Sequence, residues 1–262
     1  MIRLHHHDDD VTELHCATRR SRFLRFSVRA FLVRGTLVDC GFPRVGRELG
    51  AWLNHARPAG VMLTHGHEDH AGNIPEIAAR EIPVQMAPGT ADLVREPGRI
   101  GWYRRMCWGD QQPFTGTITP YLHPTLALRP TPGHSPDHHV VWDAARGTVF
   151  GGDLFIGVKV RIAHVDEDLR GQIASLREVA SWHPERFFDA HRGRLTDPVN
   201  DLRAKADWIE GTIAAVEDRI RRGWDDAAIR TDVLGREDST GIVSFGDYSR
   251  LNFVRSVRSS MN

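Results

Sequence analysis

Nine consecutive residues, Thr64-His65-Gly66-His67-Glu68-Asp69-His70-Ala71-Gly72, gather three imidazoles and the carboxylate of Asp69. The apolar run before them, Gly60-Val61-Met62-Leu63, is bounded upstream by Pro58 and reads as a buried strand. A strand that delivers His-x-His-x-Asp-His onto its following turn presents four metal-ligand side chains from one loop. Neutral imidazole and carboxylate are the donors that zinc and its neighbours prefer. Solvated loop histidines do not account for four ligand-type residues within six positions straight after a strand.

The rest of the chain supplies partners for such a loop. Pro132-Gly133-His134-Ser135-Pro136-Asp137-His138-His139 precedes an apolar strand, Val140-Val141-Trp142. Phe150-Gly151-Gly152-Asp153 follows another strand, and Phe187-Phe188-Asp189-Ala190-His191-Arg192-Gly193 ends a third. In each block a His or Asp stands where strand becomes loop, where a sheet can aim side chains at one point beyond its edge.

This order, His-x-His-x-Asp-His, then Gly-His, then Gly-Asp, then a late His, resembles the metallo-β-lactamase superfamily of binuclear metallohydrolases. The resemblance spans residues 61 to 193 and covers each of these blocks. It implies that His65, His67 and His134 hold a first metal, that Asp69, His70 and His191 hold a second, and that Asp153 bridges them. It also implies a four-layer αββα sandwich with the site at one edge of its two sheets. Three protein ligands per metal plus a shared carboxylate leave positions for water, as catalytic sites require. The implied function is hydrolysis of a small thioester, ester or lactone by water activated between two zinc ions, with Asp69 carrying the proton. Iron or manganese suits the same donors.

The turn Thr131-Pro132-Gly133-His134-Ser135-Pro136-Asp137-His138 is similar to that of glyoxalase II, and the chain also resembles the small lactonases. Persulfide dioxygenases are the alternative, with one iron on the equivalents of His65, His134 and Asp153. β-Lactamase or phosphodiesterase activity is a lesser one. The flavodiiron type usually has Glu where this chain has His67. A serine mechanism competes poorly, because there is no Gly-x-Ser-x-Gly sequence.

With 262 residues, 40% of them hydrophobic, the chain can bury a sizeable core as one α/β unit. Its 34 basic and 34 acidic residues balance, so no global field draws nucleic acid or an anionic membrane. Lys159 and Lys205 are the only lysines among those basic residues, which we attribute to genomic base composition. No apolar run approaches ~20 residues, and Met1 to Asp10 contains no signal-like apolar segment. Together with three unpatterned cysteines, Cys16, Cys40 and Cys107, this points to a cytoplasmic protein. His5 to Asp10 reads as a solvated segment able to bind metal adventitiously.

Strands are expected at 23–33 and 36–40 (a hairpin around Arg34-Gly35), and at 60–64, 83–87, 126–131, 138–143, 147–151 and 186–190. Helices are expected at 47–56, 73–80, 90–95 and 169–182. We place a catalytic domain at 1–197 and a C-terminal helical segment packed on it at 198–262. In that segment Leu202, Ala206, Ile209, Ile213, Val216 and Ile220 form one helical stripe, followed by shorter helices near 225–234 and 248–257. The stripe suits docking on the chain's own domain, with a homodimer interface as the alternative.

Two stretches are candidates for shaping a substrate pocket. Ile100 to Gly109 is aromatic and basic; it is either a lid or a surface helix tucking Trp102 and Trp108 into the core. After Asp153, the residues Lys159, Arg161 and His164 lie close enough along the chain to bind an anionic substrate group. They are equally placed to pair with Asp166-Glu167-Asp168.

Overall fold

A computed structural model describes every residue except Asp9, Arg25, Asp238 and Asn262. The chain opens with β1 (Ile2–His7), β2 (Val11–Cys16), α1 (Arg19–Phe23), β3 (Val28–Val33) and β4 (Thr36–Val38). Next come α2 (Gly46–Ala56), β5 (Gly60–Met62), α3 (Ile74–Ala78), β6 (Val84–Gln85), α4 (Pro88–Arg95) and α5 (Trp102–Cys107). The second half contains β7 (Leu126–Pro130), β8 (His139–Asp143), β9 (Thr148–Phe150), β10 (Ala163–His164), α6 (Leu169–Ser181), β11 (Arg186–Asp189) and β12 (Gly193–Arg194). It ends with α7 (Pro198–Arg221), α8 (Asp226–Ile229), α9 (Ser239–Val243), β13 (Tyr248–Ser249) and α10 (Arg250–Ser259).

Two sheets form the centre. One runs β1-β2-β3-β4-β5-β6, antiparallel as far as β4 and parallel from β4 to β6. The other runs β12-β11-β9-β8-β7 and is mixed, with β9 and β11 parallel. Alternation along the strands turns one face of each sheet inward. Val11, Phe31, Val33, Val38 and Met62 from the first thereby meet Leu126, Val141, Phe150 and Phe188 from the second. The Phe150 and Phe188 rings stack at 5.3 Å, and Phe31 lies against both.

Helices cover the outer faces. Leu49, Leu53, Ile74 and Ile77 of α2 and α3 pack on the first sheet. On the second, α6 supplies Ile173, Leu176 and Val179 and α7 supplies Leu202, Ala206, Ile209, Ile213 and Val216. Both helices start on an aspartate cap: Asp168 accepts from the N–H groups of Arg170 and Gly171, and Asp197 from that of Asn200. The result is an αββα sandwich with a C-terminal helical region, and α7 serves it by covering. No helix among the described residues is long and apolar enough to cross a membrane.

The N-terminus departs from expectation. His5 to His7 belong to an edge strand, and Asp8 and Asp10 pair with Arg186, so most of this stretch is structured. Asp9 lies outside the described residues. Edge strand β1 is largely exposed and His-rich, so it lacks the apolar alternation that marks a strand. The strand expected from Phe23 begins only at Val28, because Thr18 caps a short helix through Ser21.

Lys205 on α7 is fully buried, and its Nζ donates to the carbonyls of Leu154 (2.9 Å) and Phe155 (2.7 Å). It thus pins the segment that follows Asp153. Burial lowers its pKa from 10.5 to about 8. The cost of burying the charge is fully present below pH 8 and fades as pH rises to the unfolded value. The stability of the wild type relative to Lys205→Met is therefore expected to rise by ~3 kcal/mol between pH 8 and 10.5. Urea unfolding of both proteins across that range checks this; a pH-independent difference contradicts it.

Candidate metal centre

Strand ends deliver the side chains. β5 runs into the loop carrying His65, His67, Asp69 and His70; β9 leads to Asp153, β11 to His191, and the His134 turn precedes β8. Gly152 sits at φ +50°, and a Cβ there would meet His138 Nε2 at 2.8 Å and Thr64 Oγ1 at 2.9 Å. Only glycine fits that approach without strain.

All seven residues expected as ligands converge. His67 Nδ1 lies 3.0 Å from His65 Nε2 and 3.2 Å from His134 Nε2, so three ring nitrogens face one point. Asp153 turns Oδ2 toward His134 Nε2 at 3.4 Å. Its other oxygen, Oδ1, lies 3.2 Å from both His70 Nε2 and His191 Nε2. Asp69 Oδ2 completes that second group, 3.6 Å from His191 and 3.9 Å from His70.

The donor set suits divalent cations. Asp153 Oδ1 and His70 Nε2 are shielded from solvent and have no hydrogen-bond partner, which is costly unless something positive sits between them. Burial holds His65 and His67 far below the usual histidine pKa, leaving neutral rings with lone pairs to give. Burial also opposes charge on His70, but Asp153, Asp69 and Asp39 outweigh it and raise its pKa well above normal. His191 is raised to about 9 in the same way, with Asp153 and Asp69 overcoming burial. For Asp153 burial works against ionisation, yet His191 and His70 hold its carboxyl well below the usual range. Two buried carboxylates at one spot thus favour positive charge there, which a bound metal would supply.

An outer layer aims these ligands, and sequence reasoning did not find it. Asp39, directly after β4, accepts from His70 Nδ1 (2.8 Å) and from the backbone N–H and hydroxyl of Thr64. That hydroxyl in turn lies 3.0 Å from His65 Nδ1, so one carboxylate orients a histidine in each group. His191 Nδ1 donates to the carbonyl of Ser27. Asp137 accepts from Gly66 N–H, Thr90 and Ser135, tying the two ligand loops together. Asp189 takes the N–H groups of His191, Arg192 and Ile156. His138, spare in the ligand count, bonds Thr131 through Nδ1 and accepts the N–H of Asp153 at Nε2. His139 points elsewhere, to the carbonyl of Asp137.

Because Asp39 serves both groups, Asp39→Asn is expected to weaken zinc binding ~10–100-fold. Competition with a chromophoric chelator measures it, and an unchanged affinity contradicts the role.

Beside the centre lies a cavity of about 290 Å³ lined by His67, Asp69, His134, Asp153 and His191. Its other walls are largely apolar and include Phe26, Trp108, Ile156, Val160 and Ile162, with Tyr248 from the C-terminal region. The 100–109 stretch divides between its two readings. Trp108 is buried against Phe42, whereas Trp102 is half exposed. Between them, Tyr103, Arg104 and Cys107 line the cavity.

The structure does not bring Lys159, Arg161 and His164 to this cavity. Alternation along an extended segment turns Val160 and Ile162 inward and leaves Lys159 and Arg161 exposed. His164 pairs with Asp247 and Asp166 and lies against the Tyr248 ring. Arg104 lines the cavity but is bound by both oxygens of buried Glu68, at 2.7 and 2.5 Å.

Residues 25–191 match the family model of the metallo-β-lactamase superfamily. A β-lactamase-like protein 2 homologue from Drosophila melanogaster is 26% identical over 186 residues, covering 64% of this chain and 58% of that protein. A Bacillus subtilis protein described as a "probable metallo-hydrolase" is 31% identical over 132 residues, covering 47% and 58%. This chain therefore spans under two thirds of the length of these relatives. Among solved structures, a metallo-β-lactamase family protein from Thermus thermophilus superimposes with a TM-score of 0.69 at 15% identity, over 96% of this chain and 94% of that one. A metallo-β-lactamase from Erythrobacter litoralis gives 0.60 at 18% identity, over 80% and 96%. With the family match running from Arg25 through the last candidate ligand, His191, and the αββα fold shared with these structures, the chain belongs to the metallo-β-lactamase superfamily.

Proposed function

We propose that the protein is a binuclear zinc hydrolase acting on a small thioester, ester or lactone. The observation that carries this reading is the division of Asp153: one oxygen faces His134, the other faces His70 and His191. His65, His67 and His134 would hold one zinc and Asp69, His70 and His191 the other, with Asp153 shared. Zinc, when bound, would lower the pKa of water and polarise a carbonyl. Asp69 lines the cavity and is placed to take up the proton released as water attacks and to return it to the leaving group. Phe26, Trp108, Ile156, Val160 and Ile162 would receive the apolar part of the substrate. Arg104 is held by Glu68 and Arg161 is exposed, whereas Arg192 lines the cavity and its Nε donates to the carbonyl of Ile156, which makes it the residue placed to meet an anionic part of a substrate. The "metallo-hydrolase" description of the Bacillus relative agrees with the reaction class.

The test is a panel of thioesters, lactones, simple esters, a β-lactam and a phosphodiester, run with zinc-loaded and iron-loaded protein while oxygen is monitored. Zinc-dependent hydrolysis of a carboxylic ester, thioester or lactone without oxygen uptake is the expected result. Turnover confined to iron-loaded protein, a persulfide substrate and consumed oxygen would replace the reading with the dioxygenase one.

A further inference from the structure

Nothing described so far uses the side chains of His5, Glu13 and His15 on the β1–β2 hairpin. His5 and Glu13 are direct cross-strand partners, and His15 follows Glu13 by two positions, so all three side chains share one side of the sheet. One potential ligand atom from each lies within 4.8 Å of the other two. The rings of His5 and His15 are 6.2 Å apart between centroids. His15 Nε2 is shielded from solvent and makes no hydrogen bond, which ordinarily marks a missing partner. Glu13 is nearly buried and accepts from Arg29 Nε on one oxygen (2.9 Å) and from His7 Nε2 on the other (2.8 Å). A carboxylate offers about four lone-pair directions, so each oxygen keeps one.

We propose that His5, Glu13 and His15 form a separate binding site for a zinc-type cation, distinct from the central pair. Two imidazoles and one carboxylate are a sufficient donor set, with the fourth position left to water. The exposure of His5 gives that position its access to solvent. Arg29 sets the strength: it already shares the Glu13 charge and repels an incoming cation, so this site binds more weakly than the centre and empties first. The same arginine donates through Nη1 to the carbonyl of His191. A cation on Glu13 therefore stands two contacts away from the loop that supplies a central ligand, and it fastens edge strand β1 to β2.

Zinc and cobalt stoichiometry measured by equilibrium dialysis tests the site without reference to turnover. Wild type is expected to bind one equivalent more than His5→Ala or His15→Ala, and the visible cobalt spectrum should lose only the matching component. His5 is exposed, so its alanine variant should fold normally even if burial at His15 makes the second variant fragile. In an Asp153→Ala background the extra equivalent should persist and should still disappear with His5→Ala. Equal stoichiometry in wild type and His5→Ala overturns the proposal, whatever the centre itself binds.

Discussion

Asp153→Ala is expected to release both central zinc ions and to lower turnover by ~10³-fold or more. Each of its oxygens serves a different group of imidazoles, at 3.4 Å on one side and 3.2 Å on the other. Losing any other ligand leaves one group intact, whereas losing this one leaves both short. The magnitude follows from the several kcal/mol of transition-state stabilisation that metal ions supply, of which each 1.4 kcal/mol is tenfold in rate. Element analysis of the dialysed variant, beside kcat on the best substrate of the panel, checks the result. The control is His138→Ala. It removes the acceptor of the Asp153 N–H without removing a ligand, so it should lower affinity while leaving the central stoichiometry at two. A variant Asp153→Ala that keeps two tightly held central zinc ions would show that the carboxylate is not shared.

The second large effect belongs to Asp69. It lies at the cavity wall beside His191 and His70, so it faces both the second group and the space where a substrate would react. Asp69→Asn keeps an oxygen donor but cannot carry a proton. With zinc saturating, kcat is expected to fall ~10²-fold or more while KM changes little, the pattern of an interaction made chiefly in the transition state. Zinc content and both kinetic parameters must be measured on the same preparation. A fall that excess zinc restores would assign Asp69 to metal holding alone.

What the sequence made legible followed from where residues stand relative to strands. The candidate ligands declare themselves because each follows or precedes an apolar strand at a glycine, and the sheets then bring those ends together. Asp39 carries a similar signal in Leu37-Val38-Asp39-Cys40-Gly41, a strand followed by an aspartate and a glycine, but no histidine draws attention to it. Asp137 and Asp189 stand within the ligand motifs, yet their part in tying loops depends on contacts across the fold that no spacing reveals. Lys159 and Arg161 stand out for charge and nearness along the chain, whereas alternation decides which side of an extended segment faces the cavity, and there it selects Val160 and Ile162. The N-terminal hairpin is hard to read because an exposed, His-rich edge strand has little apolar pattern to show. The helical stripe from Leu202 to Val216 is readable because its period matches the face it buries. The tail's contribution of Tyr248 to the cavity is not, since it depends on the short pairing of β10 with β13.

Diffraction from zinc-loaded crystals, recorded at the zinc absorption edge, tests the central claim most directly. The account predicts two strong anomalous peaks per chain in the centre: one among His65, His67 and His134, the other among Asp69, His70 and His191, with Asp153 between them. A single central peak held by His65, His134 and Asp153 at full zinc loading would contradict it.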